Sequence, residues 1–147
     1  MEKDSPLFGA LEPFFQREAG RWGIEAAFLV GSHAARTARP DSDVDVALLF
    51  SDETDPRALF DRTNEITVEL GRVSRARIDM IVLDPDFSRP MLAYNCIVRG
   101  IPLYLRHPAR LAVLRNEAIR QMEDFRLFGV AWQIEAARRN LEIPSRA

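Results

Sequence analysis

One lysine (Lys3) and one cysteine (Cys96) stand in a chain of 147 residues. Both scarcities narrow what it can be. With a single cysteine, neither an internal disulfide nor a cysteine-based zinc site is possible. There is also no long hydrophobic run: no apolar stretch approaches 18 residues, and residues 1–16 lack a basic segment followed by an apolar one. The expectation is a cytoplasmic protein with no membrane association. Nor is there an excess of positive charge. Twenty basic against 22 acidic residues give a formal charge of −2, whereas nucleic-acid binders usually carry a basic surplus. No direct nucleic-acid partner is expected. The near-absence of lysine leaves arginine as the cation, either through genome composition or because forked donors suit phosphate and carboxylate.

What is present reads as one folded unit. The length fits a single core, and no repeat or low-complexity segment interrupts it. Apolar residues from Leu7 to Trp22 recur at helical spacing after Ser5-Pro6. Ile24 to Val30 reads as a buried strand closed by Gly31-Ser32, with a short helical turn to follow before Pro40. Val44 to Phe50 is a second strand and Asp55 to Val73 a helix with Leu59, Ile66 and Leu70 on one side. Arg77 to Leu83 is a third strand, ending in the turn Asp84-Pro85-Asp86. Met91 to Arg99 reads as one helix stopped by Gly100, Ile101 to Leu105 as a fourth strand, and the rest as a long helix after Pro108, to about Leu141. Interleaved strands and helices predict an α/β (α+β) sandwich, a small mixed sheet flanked by helices.

The stretch from Val30 to Phe50 carries the chemistry. A buried strand breaks at Gly31, and Ser32 follows where a helix could begin. Glycine permits close backbone approach and free N–H groups there suit a phosphate; the serine could equally cap that helix. In Asp43-Val44-Asp45-Val46, alternation puts both aspartates on one strand face, with Cα atoms roughly 7 Å apart from a rise of about 3.3 Å per residue. Paired carboxylates repel and resist desolvation unless a cation neutralises them. A solvent-facing pair at a strand start is the plainer alternative. Asp79 is a third acid, embedded in an otherwise apolar strand where aspartate fits poorly. It either joins the other two or pairs with an arginine such as Arg77. Three oxygen donors with no soft ligand favour Mg²⁺ or Mn²⁺ over zinc.

Gly-Ser, ten residues, Asp-x-Asp, then a third Asp on a later strand: this spacing resembles the nucleotidyltransferase superfamily of the DNA polymerase β type. The short length, the segment Thr37-Ala38-Arg39-Pro40-Asp41-Ser42-Asp43 and the closing Ile97-Val98-Arg99-Gly100-Ile101-Pro102-Leu103-Tyr104 resemble its minimal members, the MNT domains. Those are antitoxins paired with HEPN-domain toxin ribonucleases. The resemblance spans roughly residues 24 to 105. It implies that Gly31 and Ser32, with Arg36 and Ser42, bind the nucleotide. It further implies that Asp43, Asp45 and Asp79 ligate two Mg²⁺ ions and catalyse transfer of AMP from ATP, with Asp79 helping to deprotonate the acceptor hydroxyl. The implied acceptor is a hydroxyl, a tyrosine being expected, of a cognate HEPN toxin. There is one departure. Many relatives read Ala-Arg-Gly after the serine, whereas this chain reads Ala34-Ala35-Arg36.

By this reading residues 1–105 form the transferase domain and 106–147 a helical extension that packs on it or on a partner. The extension has two apolar stripes: Leu111, Leu114, Ala118, Met122, Phe125, Phe128 and Trp132, and Ile119, Leu127, Val130, Ile134, Ala137 and Leu141. A helix docked on its own domain needs only one. The second points to another chain or to this domain's other helices. Two other functions compete: neutralisation of a toxin by binding alone, and transfer to a small molecule of the aminoglycoside type. His33 reads as a surface histidine and His107 as structural at a helix start.

Overall fold

The computed structural model describes residues 5–51 and 55–142, with side chains to residue 139. Helix α1 (Pro6–Trp22) begins where the Ser5 hydroxyl accepts the amide of Phe8 at 3.1 Å and ends at Gly23 in the left-handed conformation. Strand β1 (Ile24–Val30), the five-residue α2 (Gly31–Ala35), β2 (Val44–Phe50), α3 (Pro56–Ser74) and β3 (Ile78–Leu83) follow, then α4 (Pro90–Ala93), β4 (Ile101–Leu105) and α5 (Arg110–Glu142).

The sheet runs β3-β2-β1-β4. β1 is antiparallel to both neighbours, and β2 and β3 are parallel. The strand limits match the periodicity of the sequence to within a residue. Both faces of the sheet are covered. One carries Ala27, Leu29, Val44, Val46 and Leu48 against α1 and α3, whose Phe8, Leu11, Phe14, Phe15, Ile66 and Leu70 are fully buried. The other carries Phe28, Val30, Ala47 and Leu49 against Ala93, Cys96, Ile97, Leu114 and Ala118. Covering on both sides explains why β1 and β2 are continuously apolar beyond their first residues.

Two expectations need correction. Residues 91–99 do not form one regular helix: α4 ends at Ala93, and Tyr94–Val98 is a π-helical turn in which the Arg99 amide reaches back five residues to the Tyr94 carbonyl at 3.3 Å. The physical reason lies at Gly100. A Cβ there would strike the Cys96 carbonyl and come within 3.0 Å of Val30 Cγ1. The widened turn lets the backbone lie against β1 at that point. The long helix starts at Arg110 rather than directly after Pro108, because His107 and Pro108 form a turn whose carbonyls accept the amides of Arg110 and Leu111.

Candidate functional site

Three acids meet at one end of the sheet, at the N-terminal ends of two parallel strands. Asp45 and Asp79 are register partners across β2 and β3, and Asp43 lies two residues before Asp45. Asp45 and Asp79 share strand parity with Ala47, Leu49 and Leu83, so they project on the face that carries α4, the π turn and α5, and Asp43 immediately precedes β2. Further along the strands that face is packed; at this end it is open. Asp79 is exposed and Asp45 half-buried. The Asp79 carboxylate faces that of Asp45 across the two strands, and Asp43 stands 3.9 Å from the Arg77 guanidinium. The arginine two residues before Asp79 therefore pairs with Asp43.

The electrostatics follow from this crowding. Burial, then the charges of Asp79 and Asp43, push Asp45 above the usual carboxylate range, while His33 offsets part of the rise. A cluster of hard oxygen donors with mutual repulsion suits a divalent cation, which would remove the charge penalty. The donor chemistry fits Mg²⁺. Among the described residues no three His, Cys, Asp or Glu side chains stand close enough together to hold an ion as placed.

Gly31 opens α2 with a φ of +70°, and a Cβ on it would collide with the Asp45 carboxylate. Glycine is required here on two independent counts, conformation and space. Ser32 does not cap α2: that place belongs to Val30, without a side-chain bond. Its carbonyl receives the amides of Arg36 and Thr37. Ser42 is used by its own loop: its hydroxyl accepts the Arg39 amide at 2.8 Å, and its carbonyl lies 3.2 Å from His33 Nε2. His33 thus joins α2 to the segment that delivers Asp43. Its sequence signal was only proximity to Ser32, and a contact nine residues away is visible only in the folded chain.

Arg36 ends α2 with φ +61°, a conformation that favours glycine. It lines a cavity of about 410 Å³ together with His33, Leu29 and Ile101, on the side of α1. A second cavity, about 420 Å³, lies on the other side of α2 between Val30, Gly31, Ala34, Ala35, Asn95 and Arg99. The fold therefore brings Gly31, Asp43, Asp45 and Asp79 together, with Ser32 next to Gly31 in α2, uses Ser42 to shape the connecting loop, and sends Arg36 to the α1 side.

The family model described as polymerase beta, nucleotidyltransferase matches residues 11–109. No curated protein sequence matches the chain. Among solved structures, one described as a toxin–antitoxin with AMP-PNP superposes with a TM-score of 0.65 at 16% identity, covering 86% of this chain and 98% of that one. A second, described as the toxin–antitoxin MntA-HepT, gives a TM-score of 0.61 at 14% identity, over 89% and 97% of the two chains. A third, tri-AMPylated Shewanella oneidensis HEPN toxin in complex with MNT antitoxin, gives 0.57 at 13%, over 86% and 98%. At such identities the likeness carries the fold.

Proposed function

The chain belongs to the polymerase β nucleotidyltransferase family, and from that premise we propose that it is an antitoxin that transfers AMP from ATP to a hydroxyl, a tyrosine in particular, of a HEPN-family toxin ribonuclease. The observation that carries this reading is the meeting of Asp43, Asp45 and Asp79 beside Gly31. Support comes from structural relatives described with AMP-PNP and with an AMPylated HEPN toxin. Residues 1–105 are the transferase unit in this scheme, and 106–147 the extension that meets the partner.

Asp43, Asp45 and Asp79 would hold Mg²⁺, two ions in the family scheme, which when bound neutralises phosphate charge and positions the attacking and leaving oxygens. Everything else falls to the chain. Gly31 leaves the Asp45 carboxylate the space that a Cβ would take, and the Ser32 hydroxyl would meet the phosphate oxygens. The acceptor oxygen bonds to the α-phosphorus as the bond to the bridging oxygen breaks. Pyrophosphate leaves with the electron pair, and the proton of the acceptor hydroxyl passes to the Asp79 carboxylate. Asp79 is exposed and able to meet an acceptor on another protein. The protein's contribution is mainly position and countercharge.

The test is mass spectrometry of the cognate HEPN protein after incubation with this chain, ATP and Mg²⁺. A gain in AMP units is expected. Asp43→Asn and Asp79→Asn should each lower the rate by about 10²–10³-fold or more, with the folded state retained by circular dichroism. Full transfer by a folded Asp79→Asn protein would overturn the scheme. One observation favours neutralisation by binding alone: the outer half of α5 exposes Leu127, Phe128 and Trp132. Under that reading, a stable complex forms without ATP and the Asp43→Asn protein still neutralises the toxin.

A further inference from the structure

The cavity between α2 and the π turn has a distinct chemical character. Gly31 forms part of its wall, and the same glycine touches the Asp45 carboxylate. Val30, on the same wall, is the register partner of Asp45. The cavity therefore lies on the acid-bearing face of the sheet, with Gly31 and Val30 between it and the Asp45 carboxylate. Ala34 and Ala35 offer it only methyl groups. Its polar side chains are Asn95 and Arg99, both from the segment that widens into a π turn.

Three features make this pair a fit for phosphate. Asn95 and Arg99 are four residues apart on one helical turn, which brings their side chains to the same side. They are anchored from behind: Cys96 and Ile97, between them, are buried in the core, and the Ile97 carbonyl accepts the Arg115 Nε at 3.2 Å. Among the described residues Arg99 forms no ion pair, while Arg77, the cation nearest the acids, is drawn toward Asp43. A polyphosphate lying along Gly31 would meet three carboxylates on one side and so needs a cation on the other. Arg99 is the cation that lines this cavity, and a guanidinium fork matches phosphate oxygens in a bidentate manner. Insertion of a residue into a helix to re-aim its side chains is a frequent device at functional sites.

We propose that Arg99, supported by Asn95, is the phosphate-binding cation of this protein and holds the β- and γ-phosphates of the nucleoside triphosphate in the cavity between α2 and the π turn. This rests on the transferase reading, and it assigns the phosphate contact to the opposite side of α2 from Arg36.

The test is equilibrium binding of a fluorescent ATP analogue to the full chain, with ATP, ADP and AMP as competitors, requiring no turnover and no toxin. Arg99→Gln should weaken ATP binding about tenfold, or about 1.4 kcal/mol, and leave AMP binding nearly unchanged, so that preference for the triphosphate narrows. Arg99→Lys should recover part of the loss, and Asn95→Ala should show a smaller one. Arg72→Gln on α3, at the other face of the sheet, controls for loss of one surface charge. If wild type binds ATP and Arg99→Gln binds it equally well, or if Arg36→Gln alone abolishes binding, the assignment to Arg99 is wrong while the transferase reading stands. If wild type binds no nucleotide under any condition, the transferase reading itself fails and the assignment with it.

Discussion

Gly31 is the residue on which the site geometry turns. Its positive φ and its contact with Asp45 mean that even a methyl group must displace the carboxylate or the turn. Gly31→Ala should cost about 1–3 kcal/mol in denaturant unfolding and also suppress transfer, because the displaced group belongs to the site. An alanine variant of unchanged stability would show that the turn is not constrained. Cys96 gives a second prediction at this scale. Burial holds its thiol up at about 11 from 9.0; Arg89 lowers it and the Asp45 charge raises it. The native thiol should resist a disulfide reagent at pH 8 and react on unfolding, since the thiolate is the nucleophile. The linkage has a sign. Between pH 9.0 and about 11 the unfolded chain releases a proton that the folded chain keeps, so this group's contribution is lost as pH rises through that window. Stability that rises with pH there would contradict it.

Among the elements, the connection from β3 to α4 is held by one side chain. Asp84 accepts the Ser88 amide at 2.9 Å and its hydroxyl at 2.6 Å. Burial alone would raise its pKa, but the Ser88 hydroxyl and amide, the Asp86 amide and Arg89 outweigh that, and the net shift is downward. Its stabilisation is therefore present above the ordinary carboxylate value and lost as pH falls through the lower folded one. Asp84→Asn should lose about 0.5–2 kcal/mol near neutrality and the difference from wild type should shrink in acid. A constant difference from pH 7 to 2 would count against it. The same scale shows where sequence was less informative. Apolar spacing in residues 91–99 is compatible with both α and π winding, and what selects the wider turn is the approach of Gly100 to Val30 and Leu29, residues about 70 positions earlier. Likewise Ser42 is polar and near the acids, as a nucleotide ligand would be, yet its hydroxyl closes its own loop.

Taken as a whole molecule, the chain is a covered sheet with one long helix running past it. Leu114 and Ala118 fix the first turns of α5 in the core, whereas Phe128 and Trp132, on the same stripe, are 70% and 65% exposed. Leu127, Val130 and Ile134, on the second stripe, are exposed as well. No helix is long and apolar enough among the described residues to cross a membrane. Phe128→Asp with Trp132→Asp should leave the unfolding temperature of this chain within a few degrees of wild type, because neither residue is in the core. On a sizing column the same pair should abolish the complex with the HEPN protein. Loss of the fold instead would place those side chains in an intramolecular contact.

Much of the protein is determined by its sequence alone. Strand limits, the apolar faces of α1 and α3, and the Gly31-Ser32 and Asp43/Asp45 spacing follow from local periodicity and backbone chemistry, which neighbours in the chain dictate. Side-chain alternation along an extended segment is enough to predict Asp43 and Asp45 on one side. The parallel pairing that makes Asp79 the partner of Asp45 was decided only by tertiary structure. So were the contact of His33 with Ser42, the pairing of Arg77 with Asp43, and the placement of Arg36 and Arg99 on opposite sides of α2. Each of these depends on which strand lies beside which and which helix covers which face, and such long-range contacts leave no periodic trace in the chain.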